Sequence, residues 1–144
     1  MRVFLDTNIL LDILSSSRPG HIPALQLLQV IKDRKIEGVM TTQSVIDAAY
    51  VQTQRHKVPV QEFKSAIKLI GSFVQLISID SDDIARVNET RLEDYEDGAQ
   101  VSCALNHCCD LIVSSDKGLS TITDLDIFTA QELINKFLEG SPRQ

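Results

Sequence analysis

The sequence has no long, uninterrupted apolar run. Its most apolar stretch, Met1–Leu14, is broken by Asp6 and Asp12 and has no small-residue cleavage site after it, so we interpret it as part of the fold rather than a signal peptide. Apolar residues make up 43% and charged residues 24% of the 144 positions, which is typical of soluble globular proteins and argues against a membrane span. We therefore expect a cytoplasmic protein without a membrane association.

Cysteine is scarce. Cys103, Cys108 and Cys109 are too few and too clustered for a disulfide framework, which favours a reducing compartment. A zinc or thiol function for His107-Cys108-Cys109 is the weaker interpretation, because a free cysteine is more often a small core residue.

Basic residues are also few: 14 Lys and Arg face 20 Asp and Glu, a formal net charge of -6. This balance argues against a nucleic-acid binder that relies on a basic surface. It does not exclude an acidic site that holds cations, since bound metals partly reverse the local field and attract phosphate.

Linkers, repeats and low-complexity tracts are absent, so the sequence predicts one domain over 1–144, with a flexible tail at about 140–144. Short apolar runs alternate with helix-period segments, the pattern of a parallel sheet with helical crossovers. Strands are predicted at 2–5, 38–40, 73–79, 110–114 and near 126–128, and helices at 7–14, 23–35, 43–55, 59–71, 81–92, 95–107 and 130–138.

Acidic residues follow two of these strands. Asp6 comes directly after the first strand and Asp116 just after the fourth, at the edge where open α/β sheets bind ligands. Asp94 and Asp97 lie three residues apart at the start of a helix and so share a face. Asp47 lies within the helix after the second strand, so five acids could converge.

Each acid also has a purely structural interpretation. Asp6 could be a helix N-cap, Asp94 with Asp97 resembles a capping box, and Asp116 could belong to an ordinary turn. Asp47 is in a poor position for Asp by helix propensity and lies among apolar residues, which favours a function, although a solvated flank stays open.

Taken together, the acids resemble those of the PIN-domain family over almost the whole chain. Val3–Asp12 resembles the family's first strand with its first acid, Asp94–Gln100 the segment of the third acid, and Asp110–Asp116 the strand of the fourth. The resemblance implies a three-layer α/β/α fold around a central, mostly parallel sheet of about five strands. It implies catalytic acids Asp6, Asp47, Asp97 and Asp116, a metal site of Asp6, Asp97, Asp116 and Asp94, and supporting residues Asn8 and Ser114.

The second acid of the family is usually Glu, and Asp47 occupies its position here. The shorter side chain leaves open whether Asp47 binds metal directly or through water. Prokaryotic members of this size are commonly the toxin halves of toxin–antitoxin pairs, called VapC-like, and this chain is similar in length and layout.

The chemistry expected is metal-dependent hydrolysis of RNA by an endoribonuclease. Phosphodiester cleavage needs an activated water and neutralised phosphate charge, which divalent metals supply. Oxygen ligands suit Mg²⁺ or Mn²⁺ and disfavour zinc. The alternative is a catalytically silent PIN scaffold that binds RNA or a protein. An antitoxin and a second copy of the chain are the expected protein partners, through an apolar strip on the helices at 43–55 and 59–71.

Two other hydrolase or signalling classes fit worse. A haloacid-dehalogenase-like phosphohydrolase needs a second Asp where this chain has Asn8, and a receiver domain needs an acid pair beside Asp6. A path for RNA is expected at a few basic residues, although a solvated face is an equally good interpretation of them. These residues are Arg18, Arg55, Lys57 and Lys117.

Overall fold

A computed structural model describes residues 1–90, 94–116, 123 and 125–140. In this part of the chain the strands are β1 (Arg2–Leu5), β2 (Glu37–Thr41), β3 (Val74–Ile77), β4 (Leu111–Val113) and β5 (Asp126–Phe128). The α-helices are α1 (Thr7–Leu14), α2 (His21–Lys32), α3 (Thr42–Ala49), α4 (Val60–Ile70), α5 (Ser81–Glu89), α6 (Tyr95–Asn106) and α7 (Ala130–Gly140). A π-helical segment, Tyr50–Arg55, continues α3.

The strands form one sheet in the order β3-β2-β1-β4-β5, and every neighbouring pair is parallel. The chain starts in the middle of the sheet, extends it to one side through β2 and β3, and returns to the other side with β4 and β5. The point where this direction reverses lies between β1 and β4, where the register pairs Leu5 with Val113. Ligands of open parallel sheets bind at such a point, beyond the carboxyl ends of the strands.

Helices cover both faces of the sheet, because β1 sends alternate side chains to opposite sides. Val3 and Leu5 pack into the larger core with α1, α2 and α7, whereas Phe4 packs into a second core with Val101 and Ala104 of α6. These two cores give three layers, which confirms the predicted α/β/α architecture around a five-stranded parallel sheet.

The predicted helix bounds are wrong in three places. The second helix runs from His21 to Lys32 rather than from Pro23 to Lys35, and within it Ala24 and Leu27 are buried while Leu25 is 39% exposed. The single helix predicted over 43–55 is an α-helix for its first half and a π-helix for its second. The fifth helix ends at Glu89, with Thr90 in an extended conformation as its C-cap, and not at Leu92 as predicted. Of the tail predicted at about 140–144, Gly140 belongs to α7, and 141–144 lie outside the described residues.

The clustered cysteines mark the end of α6. Cys108 adopts a left-handed conformation with φ of 57°, and the backbone N–H of Cys109 donates to the carbonyl of Ala104, as in a Schellman C-cap. Cys103 and Cys109 are buried and Cys108 is exposed, and all three are free thiols. Burial raises the pKa of Cys103 to about 12 and that of Cys109 to about 11, so both stay protonated in the core.

Among the described residues, no helix has the length and apolar character needed to cross a membrane.

Candidate active site

Asp6 lies where β1 gives way to α1, at the switch point of the sheet. It is the N-cap of α1, and its Oδ1 accepts the backbone N–H of Thr7 at 2.7 Å. Its Oδ2 accepts the hydroxyl of Ser114, from the end of the neighbouring β4, at 2.8 Å. Both oxygens are thereby oriented, and the capping role foreseen for Asp6 is confirmed alongside its placement at the sheet edge.

Asp116 reaches the same place from β4. Its backbone N–H donates to Ser114 Oγ at 3.0 Å, so one hydroxyl links the first and last of the predicted acids. Burial raises the pKa of Asp6; the hydrogen bonds from Ser114 and Thr7 partly offset this, and the nearby Asp116 carboxylate raises it further. Asp6 and Asp116 are therefore close enough to repel each other when both are ionised.

The first turn of α6 brings two more acids to this edge. Asp94 is the N-cap of α6 and accepts the backbone N–H of Asp97 at 3.0 Å, which confirms the predicted cap. Burial raises the pKa of Asp97 to about 6, and the negative charges of Asp94, Asp6 and Asp116 raise it as well. The charges of Asp94, Asp6 and Asp116 therefore lie near Asp97, so the structure brings these four acids together.

Asp47 approaches from α3 on the other side of α6. The Gln43 amide donates to its Oδ1 at 2.9 Å, and the Asp47 carboxylate lies near enough to Glu96 to raise the pKa of that residue. Burial raises the pKa of Glu96, and so do the charges of Asp47, Asp94 and Asp6. Asp47 thus meets the cluster through Glu96, a residue that the sequence reasoning did not single out.

A buried polar layer joins α1, α3 and α6 beneath the acids. Thr7 Oγ1 lies 2.7 Å from Ser44 Oγ, which also accepts the Thr41 hydroxyl at 3.1 Å. The Gln100 amide donates to Thr7 Oγ1 at 3.4 Å, while the Gln100 Oε1 atom is buried without a hydrogen-bond partner. These contacts fix the three helices that carry the acids relative to one another.

The described residues provide little positive charge to neutralise these acids. No Lys or Arg in the described part of the chain forms an ion pair with Asp6, Asp47, Asp94, Glu96 or Asp97. Within the same residues, no three His, Cys, Asp or Glu side chains already form a complete metal cage. The donors present are carboxylate and hydroxyl oxygens, and Mg²⁺ commonly binds one or two carboxylates while keeping several waters, so this donor set fits such an ion.

The structure describes three of the four predicted basic residues, Arg18, Arg55 and Lys57. Arg18 Nε donates to Asp12 at 2.7 Å, and the Arg55 guanidinium lies 5.7 Å from the centre of the Tyr50 ring. Lys57 is exposed in the turn after the π-helical segment, and Lys117 lies outside the described residues. The supporting residue Asn8 is half-buried in the first turn of α1.

Thr7, Glu96 and Gln100 are the site residues that sequence reasoning missed. A signal for Glu96 and Gln100 was present, because they lie four residues apart and Gln100 follows Asp97 by three, which places them on one face of α6. No local pattern marks Thr7, whose contacts depend on the meeting of three helices.

The chain is similar to known proteins in both sequence and fold. A family model for the PIN domain matches residues 2–118, and the chain therefore belongs to the PIN-domain family. A curated relative, Ribonuclease VapC1 of Aquifex aeolicus (strain VF5), is 23% identical over 141 residues, which cover 94% of this chain and 95% of the relative.

Two solved structures share the fold. Mycobacterium tuberculosis VapC20, described as a Sarcin-Ricin loop cleaving toxin, matches with a TM-score of 0.64 at 12% identity, over 83% of this chain and 93% of that one. A chain of VapBC2 from Rickettsia felis, solved with a DNA fragment from its promoter, matches with a TM-score of 0.67 at 14% identity, over 90% of this chain and 98% of that one.

Proposed function

We propose that this protein is a divalent-cation-dependent endoribonuclease and the toxin component of a toxin–antitoxin pair. Membership of the PIN-domain family supports a nuclease, and the similarity to a VapC ribonuclease supports RNA as its substrate. The catalytic residues of the proposal are Asp6, Asp47, Asp97 and Asp116.

One observation carries the proposal: Asp6, Asp97 and Asp116 lie close enough at the switch point between β1 and β4 for their charges to interact, and no Lys or Arg of the described residues forms an ion pair with Asp6 or Asp97. Packing like charges together raises the free energy of the folded state. Such an arrangement is retained where a cation or a reaction needs it. Neither of the structural interpretations, a helix cap or a turn, accounts for the mutual approach of Asp6, Asp97 and Asp116.

The cation expected here is Mg²⁺ or Mn²⁺, with Asp6, Asp97 and Asp116 as its protein ligands and Asp94 beside them. When bound, such an ion lowers the pKa of a water molecule and neutralises charge on the phosphate. The ionised forms of the carboxylates are the ones that bind it, so binding is favoured above the raised pKa of Asp97, about 6.

The chain itself contributes orientation. Thr7 N–H and the Ser114 hydroxyl direct their hydrogen atoms at Asp6, so its carboxylate needs little reorganisation when RNA arrives. Asp94 fixes the first turn of α6 and hence the position of Asp97.

The test is cleavage of single-stranded RNA by the purified protein in Mn²⁺, in Mg²⁺ and in excess EDTA. We expect cleavage with either ion and none with EDTA, and loss of cleavage in Asp97→Asn. Glu62→Gln, which removes a charge from the first turn of α4, is the control and should cleave like the wild type. Binding of RNA without cleavage under all these conditions would instead support the silent scaffold.

A protein partner is the second part of the proposal. Ile46 and Tyr50 are 65% and 57% exposed, and they lie one turn apart and therefore on one face; Val60 of α4 is 52% exposed as well. An exposed apolar face of this kind is typical of a protein interface. We assign it to an antitoxin or to a second copy of the chain, and sedimentation of wild type and Ile46→Glu should differ if self-association uses this face.

A further inference from the structure

We propose that Tyr50 and Arg55 form a binding surface for single-stranded RNA beside the acidic cluster, with one nucleobase stacked on the Tyr50 ring and a phosphate bound by the Arg55 guanidinium. The inference rests on the proposed function and deepens it, because it names two residues that hold the RNA. Neither residue belongs to the four catalytic acids, so the binding of RNA can be measured separately from its cleavage.

The π-helical segment Tyr50–Arg55 creates this pair. In an α-helix each residue turns by about 100°, so residues five apart point to different faces. A π-helix forms its hydrogen bonds between residues five apart, as the His56 N–H does when it donates to the Val51 carbonyl at 3.1 Å, and so brings such residues onto one face. Arg55 accordingly lies over the Tyr50 ring, 5.7 Å from its centre. Single π-helical turns are rare and are frequently found at functional sites.

The Tyr50 ring is available to a ligand. The Arg55 guanidinium lies over the ring, yet the Tyr50 side chain is still 57% exposed. Single-stranded RNA is commonly recognised by stacking of its bases on aromatic rings and on arginine planes. An exposed ring with a guanidinium beside it therefore offers one strand both a stacking surface and a phosphate ligand.

Positive charge continues along the chain from Arg55. Arg55, His56 and Lys57 are all exposed, and neither Arg55 nor Lys57 forms an ion pair with a described residue. These cations are available in a chain that has only 14 Lys and Arg against 20 Asp and Glu. Phosphates match the cations and bases match the ring, so RNA fits both features. An apolar protein surface would match the ring alone and leave the cations without partners.

The position of the pair connects it to the acids. Tyr50 follows Asp47 by three residues, so the two are neighbours on the helix that begins at the carboxyl end of β2. Side chains of a helix lean toward its N-terminus, which directs Tyr50 toward the turn that carries Asp47. A base stacked on Tyr50 therefore belongs to a nucleotide near the phosphate that the acids would hold.

The first experiment uses tyrosine fluorescence, because the sequence has two tyrosines and no tryptophan. In Tyr95→Phe protein, Tyr50 is the remaining tyrosine, so quenching of the emission by a stacked base reports contact between RNA and this ring. We expect a short oligouridylate to quench the emission at low ionic strength, in EDTA so that no metal-dependent cleavage occurs. An RNA duplex of equal length should quench it much less, since its bases are already stacked and paired.

The second experiment measures affinity for the same oligouridylate by fluorescence anisotropy at several salt concentrations. Tyr50→Leu should weaken binding by about fivefold or more, as expected for the loss of one base–aromatic stack, whereas Tyr50→Phe keeps the ring and should bind like the wild type. Arg55→Gln should lower the slope of log affinity against log salt by about 0.7, as for one phosphate contact of a single strand, and Arg55→Lys should retain it.

Two variants serve as matched controls and should change neither affinity nor salt slope. Lys136→Gln removes the cation of another cation–aromatic pair, 4.8 Å from the centre of the Phe128 ring. Ile46→Ala shortens an exposed apolar side chain one turn before Tyr50 that cannot stack on a base. Melting curves show whether each variant is folded. The quenching measurement needs no change at Tyr50 and so tests the inference even if Tyr50→Leu does not fold.

Wild-type affinity in folded Tyr50→Leu protein overturns the inference, as does unquenched Tyr50 emission or an absence of RNA binding by the wild type. If Tyr50→Leu changes sedimentation but not RNA affinity, the ring serves a protein partner and the inference is wrong. Binding of RNA that depends on Tyr50 but is not followed by cleavage in Mn²⁺ supports this surface and counts against the nuclease instead.

Discussion

Two buried aspartates of α1, Asp6 at its N-cap and Asp12 in its second turn, differ in what surrounds their negative charges. Asp12, 4% exposed within α1, receives Arg18 Nε at 2.7 Å and so has its own positive charge. Asp6, 8% exposed at the start of α1, receives a hydroxyl and a backbone N–H, and its surroundings add the negative charge of Asp116.

The difference teaches that burial alone does not mark a functional acid. Asp83 is fully buried too, but the Asp80 backbone N–H and the side chains of Ser102 and Asn106 donate to it, so it is satisfied as a link between α5 and α6. What distinguishes Asp6 is the collection of like charges around it. Asp12 is neutralised and Asp83 is fully hydrogen-bonded by the fold, whereas the negative charge at Asp6 is the one for which we propose a cation.

Exchanging each aspartate for asparagine should separate the two roles most strongly. Asp6→Asn keeps a good N-cap and relieves a buried charge, so its stability should be unchanged or higher, while RNA cleavage falls by at least about 100-fold, as when one preorganised electrostatic group is removed. Asp12→Asn should cleave RNA normally below its melting temperature. Initial rates of RNA cleavage in Mn²⁺ measure the activity of both variants. An Asp6→Asn protein as active as Asp12→Asn would contradict the functional role proposed for Asp6.

The next effect concerns what the cation contributes to stability. By the proposed function, Mn²⁺ or Mg²⁺ binds the folded protein and not the unfolded chain, so at 100 times its dissociation constant it should stabilise the wild type by about 2.7 kcal/mol. Asp97→Asn should melt no lower than wild type without metal, yet gain much less from added metal. Paired melting curves with and without Mn²⁺ test this, and a loss of metal-free stability in the variant would make Asp97 a structural residue like Asp12.

Much of this organisation could be predicted from the sequence. The strands are short apolar runs bounded by turn residues, and the acids that follow β1 and β4 must meet because the carboxyl ends of parallel strands share one edge. Glu96 and Gln100 were missed although their spacing places them on one face of α6, because their interactions with Asp47 and Thr7 depend on how α6 packs against α3 and α1. The π-helical continuation of α3 was missed for a similar reason, since Gln43–Arg55 has the apolar spacing of an ordinary helix. The burial of Ala24 instead of Leu25 depends on packing against α1 and α7.

A third test disturbs the Asp12 side alone. A Cβ atom built on Gly20 would overlap Asp12 Oδ2, so Gly20→Ala must push the carboxylate away from Arg18. We expect a loss of about 1–2 kcal/mol, within the usual range for overpacking, without loss of activity in the folded protein. Gly140→Ala, where a Cβ meets nothing within 4 Å, is the control. Urea unfolding with equal slopes for the three proteins gives the comparison, and a Gly20→Ala protein as stable as the control would show that the ion pair tolerates displacement.

The smallest effect is the pH dependence of stability without metal, and it distinguishes the two sides by sign. Asp97 has an ordinary pKa of 3.8 in the unfolded chain and about 6 in the folded protein, because burial and its acidic neighbours disfavour the charge. Between these values the folded state binds more protons than the unfolded state, so this group makes stability fall as the pH rises from about 4 to 6 and adds no slope above that window. The raised pKa values of Asp6 and Glu96 act in the same direction.

Asp97→Asn should therefore show a shallower decline in stability than the wild type over this window, whereas Gly20→Ala should keep the wild-type slope at a lower stability. Saturating Mn²⁺ should weaken or reverse the wild-type decline, since the ion binds the ionised carboxylates and binds better as the pH rises. Chemical unfolding at half-unit intervals from pH 4 to 7, with Mn²⁺ and with EDTA, measures these slopes; identical slopes for wild type and Asp97→Asn in EDTA would mean that Asp97 does not carry the excess charge of the cleft.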